Sequence, residues 1–181
     1  LTALPLFVWM GEILFRTKLS ENLFKGLAPW MSRLPGGLIH VNVVGCALFA
    51  AISGSSAATV ATVGKMSIPE LRKRNYPEKL LLGSLAGSGT LGLLIPPSII
   101  LIIYGVTVQE SIAKLFIAGI IPGIMIAIFF MFYVIGWSML NKNIMPKMEE
   151  TFSFSQKIKQ SGQLIPVIVL IAAVIGSIYV G

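Results

Sequence analysis

The chain has 181 residues, of which 55% are hydrophobic and only 12% charged, about half the roughly 25% charged residues of a soluble domain. Its formal net charge is +7, yet the basic residues sit in short stretches between apolar runs, which is the pattern of cytoplasmic membrane loops and not of a nucleic-acid-binding surface. The single cysteine, Cys46, excludes a disulfide framework and any zinc-ligand spacing, and reads as a small buried hydrophobe.

Four runs carry no Lys, Arg, Asp or Glu: Leu34–Gly64, Leu80–Gln109, Leu115–Asn141 and Gln160–Gly181. Each is long enough to span a bilayer, which needs about 20 apolar residues. The expected class is an all-α integral membrane protein.

In chain order, residues 1–34 hold the end of a span and a surface helix. Leu1–Phe15 has no basic leader and no small-residue cleavage site, so it reads as the second half of a span whose start is missing, in a piece of a longer protein. From Lys18 to Leu34 the apolar residues Leu19, Leu23, Leu27, Met31 and Leu34 recur at helical spacing, which predicts an amphipathic helix lying in the membrane interface. His40, at the start of the next run, reads as an interfacial polar residue, and Asn42 as a hydrogen-bonding partner for a neighbouring helix. Trp9, Trp30, Tyr76, Tyr104 and Trp137 read as interface anchors.

Residues 35–64 form a segment too long for one crossing and too short for two, broken by Ser53-Gly-Ser-Ser56. The flanking loops decide its path. Residues 16–33 hold four basic residues and one acid; residues 65–79 hold five and two; residues 142–159 hold four and two; residues 106–114 hold one of each. The positive-inside rule therefore puts 16–33, 65–79 and 142–159 in the cytoplasm, and 106–114 outside. A segment whose two ends share a side cannot cross once. Two helical arms of about 15 residues reach about 22 Å into a hydrocarbon core of about 30 Å and return. Residues 35–64 are thus expected to be a re-entrant helical hairpin with its tip at Ser53–Ser56.

Residues 65–79 follow as a loop, then 80–105 as an outward crossing, 108–141 as a return and 154–181 as a further crossing. Helix starts are signalled at Ser67–Glu70, Asn75–Glu78, Thr107–Glu110 and Ser153–Gln156, with Gly105 as a C-cap. The crossing at 80–105 contains "LAGSGTLGLLIPPSIILIIYG". Pro96 and Pro97 lack N–H groups and free the carbonyls of Gly92 and Leu93. This is therefore a discontinuous helix whose break needs a partner at similar depth. The hairpin tip is that partner. Ser53, Ser55, Ser56, Thr59, Ser88, Thr90 and Ser98 supply hydroxyls there, and neutral oxygens suit Na⁺ better than Mg²⁺ or Ca²⁺. Gly83, Gly87, Gly119 and Gly123 have the spacing of close helix packing.

Two other readings are set aside. Gly87–Gly92 matches the dinucleotide-binding glycine pattern but lies inside an apolar run and precedes two prolines, not a soluble helix. His40 and the serines of the tip are about 20 Å apart along one helical arm, too far for a protease nucleophile and its base.

Three stretches, "LPGGLIHVNVVGCALFAAISGSSAATVATVG", "GTLGLLIPPSIILIIYG" and "SIAKLFIAGIIPGI", resemble the large membrane subunit of the tripartite ATP-independent periplasmic (TRAP) transporters of bacteria and archaea. The resemblance covers essentially the whole chain. It implies one half, the first repeat, of an inverted-repeat elevator-type transporter, without the first two helices or the second repeat. It implies an inner-membrane symporter that imports organic acids, such as C4-dicarboxylates or sialic acid, with Na⁺. It implies a periplasmic binding protein and a small four-helix membrane subunit as partners, and no enzymatic activity. Carried over by position, a Na⁺ site involves Ser53, Gly54 and Ser56 with Gly92, Ile95 and Pro97, with Gly89 and Thr90 adjacent. Ser55, Thr90 and Ser98 are expected to face the carboxylate. This chain would hold half of the substrate site and would not transport alone. The main rival reading is an ion channel with a re-entrant selectivity loop; another is a structural membrane subunit.

Overall fold

The computed structural model describes residue 9 and residues 19–146 and 154–180. The expected half-span at Leu1–Phe15 (Trp9 apart), the loop cations Arg16 and Lys18, and the cap at Ser153 lie outside the described residues. Every regular element among the described residues is a helix.

The first, α1 (Leu19–Met31), is amphipathic as expected: Leu23, Phe24 and Leu27 are buried, while Glu21 and Lys25 are exposed and paired at 2.5 Å. Part of its apolar stripe, Leu23 and Leu27, is buried by protein. It packs on the helices that follow, and a Cβ at Gly26 would lie 2.6 Å from the Leu164 side chain. An apolar stripe of this spacing serves packing on protein as well as on lipid. Trp30, expected to anchor in lipid headgroups, donates its indole N–H to Ser161 Oγ at 2.8 Å.

Next comes a helical hairpin. α2 (Ile39–Ser53) is buried on nearly all sides, with Ile39, Val43 and Phe49 fully covered, and so carries no polar face. α3 (Ser56–Lys73) runs back beside it. Gly54 ends α2 in the left-handed region at φ 60°, where a residue without Cβ is unstrained. α3 continues through Pro69 to Lys73, so residues 65–73 are helix and not loop, and Ser67–Glu70 is not a helix start. One lost backbone bond at Pro69 is offset by packing on either side, at Val63 and at fully buried Leu71. His40 is also corrected: it is fully buried, and its Nε2 donates to the Pro35 carbonyl at 2.8 Å. Asn42 does bridge helices, donating to Ser84 Oγ at 3.1 Å. Between the hairpin and the next helix, Tyr76 accepts from the Leu38 N–H at 3.1 Å instead of anchoring in the interface. Burial pushes its phenol up from the ordinary value, so it stays neutral.

α4 (Glu78–Gly89) starts close to the expected signal, with Pro77 and not Asn75 at the cap position. It tightens into a 3₁₀ turn (Thr90–Leu93), loses helical form through residues 94–98, and resumes as α5 (Ile99–Val108). The discontinuous helix is therefore present. Gly105 does not end it: α5 runs to Val108 and Gln109 takes the left-handed cap at φ 56°. Thr107 donates back to the Ile103 carbonyl and caps nothing.

α6 (Ile112–Leu140), 29 residues, is the only helix among the described residues long and apolar enough to cross a membrane, and 17% of its apolar window is buried. α7 (Phe154–Ser161), a 3₁₀ turn (Gly162–Leu164) and α8 (Ile165–Val180) complete the chain. The glycine spacings differ in use. A Cβ at Gly119 would lie 2.7 Å from the Leu94 carbonyl, and one at Gly123 2.8 Å from the Ile95 side chain, so α6 seats the break of the discontinuous helix. Gly87 packs under Phe130, but nothing lies within 4 Å of a Cβ at Gly83, where the packing expectation fails. Gly119→Ala is expected to cost about 1–3 kcal/mol by forcing α6 off a backbone oxygen. Gly83→Ala is expected to gain up to about 1 kcal/mol from helix propensity. Thermal unfolding of the two variants side by side checks both signs.

Candidate functional site

The sequence of the tip dictates its form. A run of helix-forming apolar residues is interrupted by Ser-Gly-Ser-Ser, where short hydroxyl side chains compete for backbone partners. Ser55, extended at φ −133°, caps α3 by accepting from the Ala58 N–H. Its carbonyl accepts from the Thr59 N–H at 3.0 Å and the Thr59 hydroxyl at 2.7 Å. With that hydroxyl committed as a donor, the Ser53 hydroxyl donates to Thr59 Oγ1 at 3.0 Å. Ser53 and Thr59 are buried. The Ser56 hydroxyl differs from both: its oxygen is shielded from solvent and has no hydrogen-bond partner. An uncompensated hydroxyl in a covered position costs free energy unless a ligand meets it.

The break meets this tip directly. The Ile99 N–H donates to the Gly54 carbonyl at 3.2 Å, joining the start of α5 to the hairpin. A Cβ at Gly54 would fall 2.6 Å from the Pro97 carbonyl. A Cβ at Gly92 would fall 2.8 Å from the Ser56 nitrogen and 2.9 Å from the Ser55 carbonyl carbon. Only glycine fits at either position, because the facing atoms are backbone. Gly89 lies under Val60 on α3, 4.0 Å from the Ser56 carbonyl as measured from a built Cβ.

Of the two carbonyls expected to be freed by the prolines, that of Leu93 accepts from the Ser98 hydroxyl at 2.7 Å. No hydrogen bond among the described residues closes on the Gly92 carbonyl. The peptide between Pro96 and Pro97 is cis.

The expected residues therefore divide. Ser53, Gly54, Ser55, Ser56, Gly92 and Pro97 come together, with Gly89 beside them. Ser98 is buried in the break, its proton turned to Leu93. Ile95 sits on the other side, against Gly123 of α6, and Thr90 is exposed with its hydroxyl donating to the Gly87 carbonyl at 2.7 Å. Sequence reasoning did not single out Ser84, which with Asn42 and Ser88 forms a buried polar seam between α2 and α4; Ser88 donates to the Ser84 carbonyl at 2.6 Å. A serine four residues before Ser88, opposite a lone asparagine in an apolar run, was the available signal.

Two helix N-termini, those of α3 and α5, and the C-terminus of α2 converge where tip meets break. Helix N-termini favour anions, and unpaired C-terminal carbonyls favour cations. A site of this build can hold a small monovalent cation on neutral oxygens and can present N–H groups to a carboxylate beside it.

The chain is 33% identical over its whole length to the C4-dicarboxylate TRAP transporter large permease protein DctM of Pseudomonas aeruginosa, covering 42% of that protein. It is 33% identical, again over its whole length and 42% of the relative, to the ectoine/5-hydroxyectoine TRAP transporter large permease protein UehC of Ruegeria pomeroyi. It is 41% identical over 125 residues to the 2,3-diketo-L-gulonate TRAP transporter large permease protein YiaN of Escherichia coli, covering 69% of this chain and 29% of that one. The chain thus spans about two fifths of the length of the relatives that it matches end to end. These relatives are transporter permeases, which leaves the pore reading without support. Residues 1–181 all match the family described as tripartite ATP-independent periplasmic transporter, DctM component, and the chain belongs to that family.

Proposed function

We propose that this chain is the first-repeat half of the large permease of a Na⁺-coupled secondary transporter, in which the hairpin tip and the broken helix hold the coupling ion. The observation that carries the reading is the covered, unpartnered Ser56 oxygen, set where Gly92 of the break seats on the tip. The ion would be held by Ser56 with Ser53 and Gly54 from the hairpin, and by Gly92 and Pro97 from the break. All are neutral oxygens, the donor type that a monovalent cation accepts without carboxylates. The glycine cradles at Gly54 and Gly92 keep these oxygens close.

The organic acid would meet the N-terminal ends of α3 and α5, with Ser55 and Ser98 at the same junction and Thr90 on the exposed side of the turn. A second half of the substrate site would come from the part of the permease that lies outside this chain. C4-dicarboxylates, ectoines and 2,3-diketo-L-gulonate in the relatives' names mark carboxylated solutes as the class to test. A periplasmic binding protein would deliver the solute and a small four-helix membrane subunit would brace the permease in the inner membrane.

In the bilayer, α2, with 15 residues, is about 22 Å long and too short to span, so the hairpin would be re-entrant from the cytoplasmic side. The discontinuous helix, α6, and α8 lengthened by the 3₁₀ turn that leads into it would cross, and the hairpin with its broken partner would move as one body in an elevator-type cycle. The hydrogen bond from Ile99 to Gly54 supports that rigid pairing.

The test is uptake by the full-length permease, reconstituted with its partner subunits, across a panel of carboxylates with and without Na⁺. Uptake is expected to require Na⁺ and the binding protein, and Ser53→Ala with Ser56→Ala is expected to raise the Na⁺ concentration needed. Unchanged Na⁺ dependence in that double variant would sink the site.

A further inference from the structure

We infer that the outer end of the hairpin carries a second binding site, for the phosphate headgroup of an anionic phospholipid. Away from the tip, α1, α3 and Gln160 of α7 enclose a cavity of about 520 Å³. Four cations line it, Lys25 of α1 with Lys65, Lys73 and Arg74 along the end of α3. Among the described residues two carboxylates accompany them: Glu21, paired with Lys25 at 2.5 Å, and Glu70, paired with Arg74 at 2.9 Å. The described lining is therefore net positive, with Lys25 and Arg74 each held by one of its acids.

The floor is of another kind. Phe24 and Met66 lie at its base, with Phe24 buried against the core. A cavity with a cationic rim and an apolar floor fits an amphiphile, with the phosphate on the ammonium groups and the glycerol and upper acyl chain on the aromatic and thioether surface. A free anion would use the rim and leave the floor wet. Basic pockets between helices at the cytoplasmic surface are where anionic headgroups bind. A lipid here would fasten α1, α3 and α7 together at the end opposite the tip.

This inference rests on the proposed cytoplasmic placement of the end of α3. The two can fail separately. Labelling of Lys73→Cys by an impermeant thiol reagent from the periplasmic side would overturn the placement. The binding measurement in detergent uses neither Na⁺ nor orientation.

The experiment is native mass spectrometry of the purified full-length protein titrated with phosphatidylglycerol, phosphatidylcholine or inorganic phosphate. Phosphatidylglycerol is expected to be retained in preference to phosphatidylcholine. Lys65→Gln with Lys73→Gln is expected to weaken its retention about thirtyfold, and Lys73→Gln alone about fivefold, at the usual contribution of a cation near an anionic surface. Lys79→Gln with Lys142→Gln, outside the cavity, is expected to change it far less. If the first double variant does not fold, the single variant decides. Equal loss in both lysine pairs, equal retention of the two lipids, or displacement of the lipid by inorganic phosphate at matched concentration would each overturn the inference.

Discussion

Gly92→Ala in the full-length permease is expected to abolish Na⁺-dependent uptake and to lower stability by about 1–3 kcal/mol. The added Cβ would fall 2.8 Å from the Ser56 nitrogen and 2.9 Å from the Ser55 carbonyl carbon. Both are backbone atoms of the tip, so no side chain can swing aside. Either the 3₁₀ turn at Thr90–Leu93 or the start of α3 must move, and each movement parts Gly92 from Ser56. Gly83→Ala is the matched control, because it adds the same methyl to the same broken helix in open space. Solute binding by the partner protein is expected to be unaffected, which separates lost coupling from lost delivery. Transport by Gly92→Ala at the wild-type Na⁺ dependence would show that tip and break need not touch.

The second large effect is expected at Gly54, where two costs add. Its φ of 60° disfavours any residue with a Cβ by about 1–2 kcal/mol, and the Cβ would also press the Pro97 carbonyl at 2.6 Å. Gly54→Val is expected to lose about 3–5 kcal/mol and all Na⁺-dependent uptake. Gly54→Asn separates the costs, since asparagine tolerates the left-handed region while keeping the clash. It is expected to lose less stability than Gly54→Val and to lose uptake as fully. Thermal unfolding and uptake measured on the same preparations give the comparison. Wild-type stability in Gly54→Val would contradict the left-handed cap.

Much of this pairing was legible in the residues. Ser53–Ser56 stands out as a polar interruption of an apolar run, and Pro96–Pro97 must break any helix that contains them. The contact itself was expected only from depth. Its closing bond, from the Ile99 N–H to the Gly54 carbonyl, joins two backbone groups that no side-chain pattern marks. The hydroxyls of the tip looked equivalent in the sequence. Only the folded arrangement separates Ser53, engaged with Thr59, from Ser56, which has no partner.

Local signals misled where packing overrides them. Ser67–Glu70 and Thr107–Glu110 have the spacing of capping boxes, yet α3 passes through the first and α5 ends within the second. A capping box is a few short polar residues and states nothing about what is packed alongside. The stripe of α1 had the right period but did not show that Leu23 and Leu27 are covered by the chain itself, because protein and lipid both cover apolar faces. His40 and Gly83 fail in opposite ways for the same reason: the polar residue is buried and the small one is open. Period and composition determine that a residue lies on a helix, while the path of the remote chain determines what it faces.

The role proposed for the Ser56 oxygen is that of a cation ligand. It is tested most directly by equilibrium binding of radioactive Na⁺ to the purified full-length permease and to its Ser56→Ala variant, with thermal unfolding in Na⁺-free buffer as a check on the fold. Saturable binding is expected in the wild type. In the variant it is expected to weaken about tenfold or more, as for loss of one polar partner of a charge, with Na⁺-free unfolding at the wild-type temperature or slightly above it, because the hydroxyl has no protein partner to lose and its removal relieves an uncompensated polar group. Wild-type Na⁺ affinity in Ser56→Ala would show that the Ser56 oxygen does not ligate the ion.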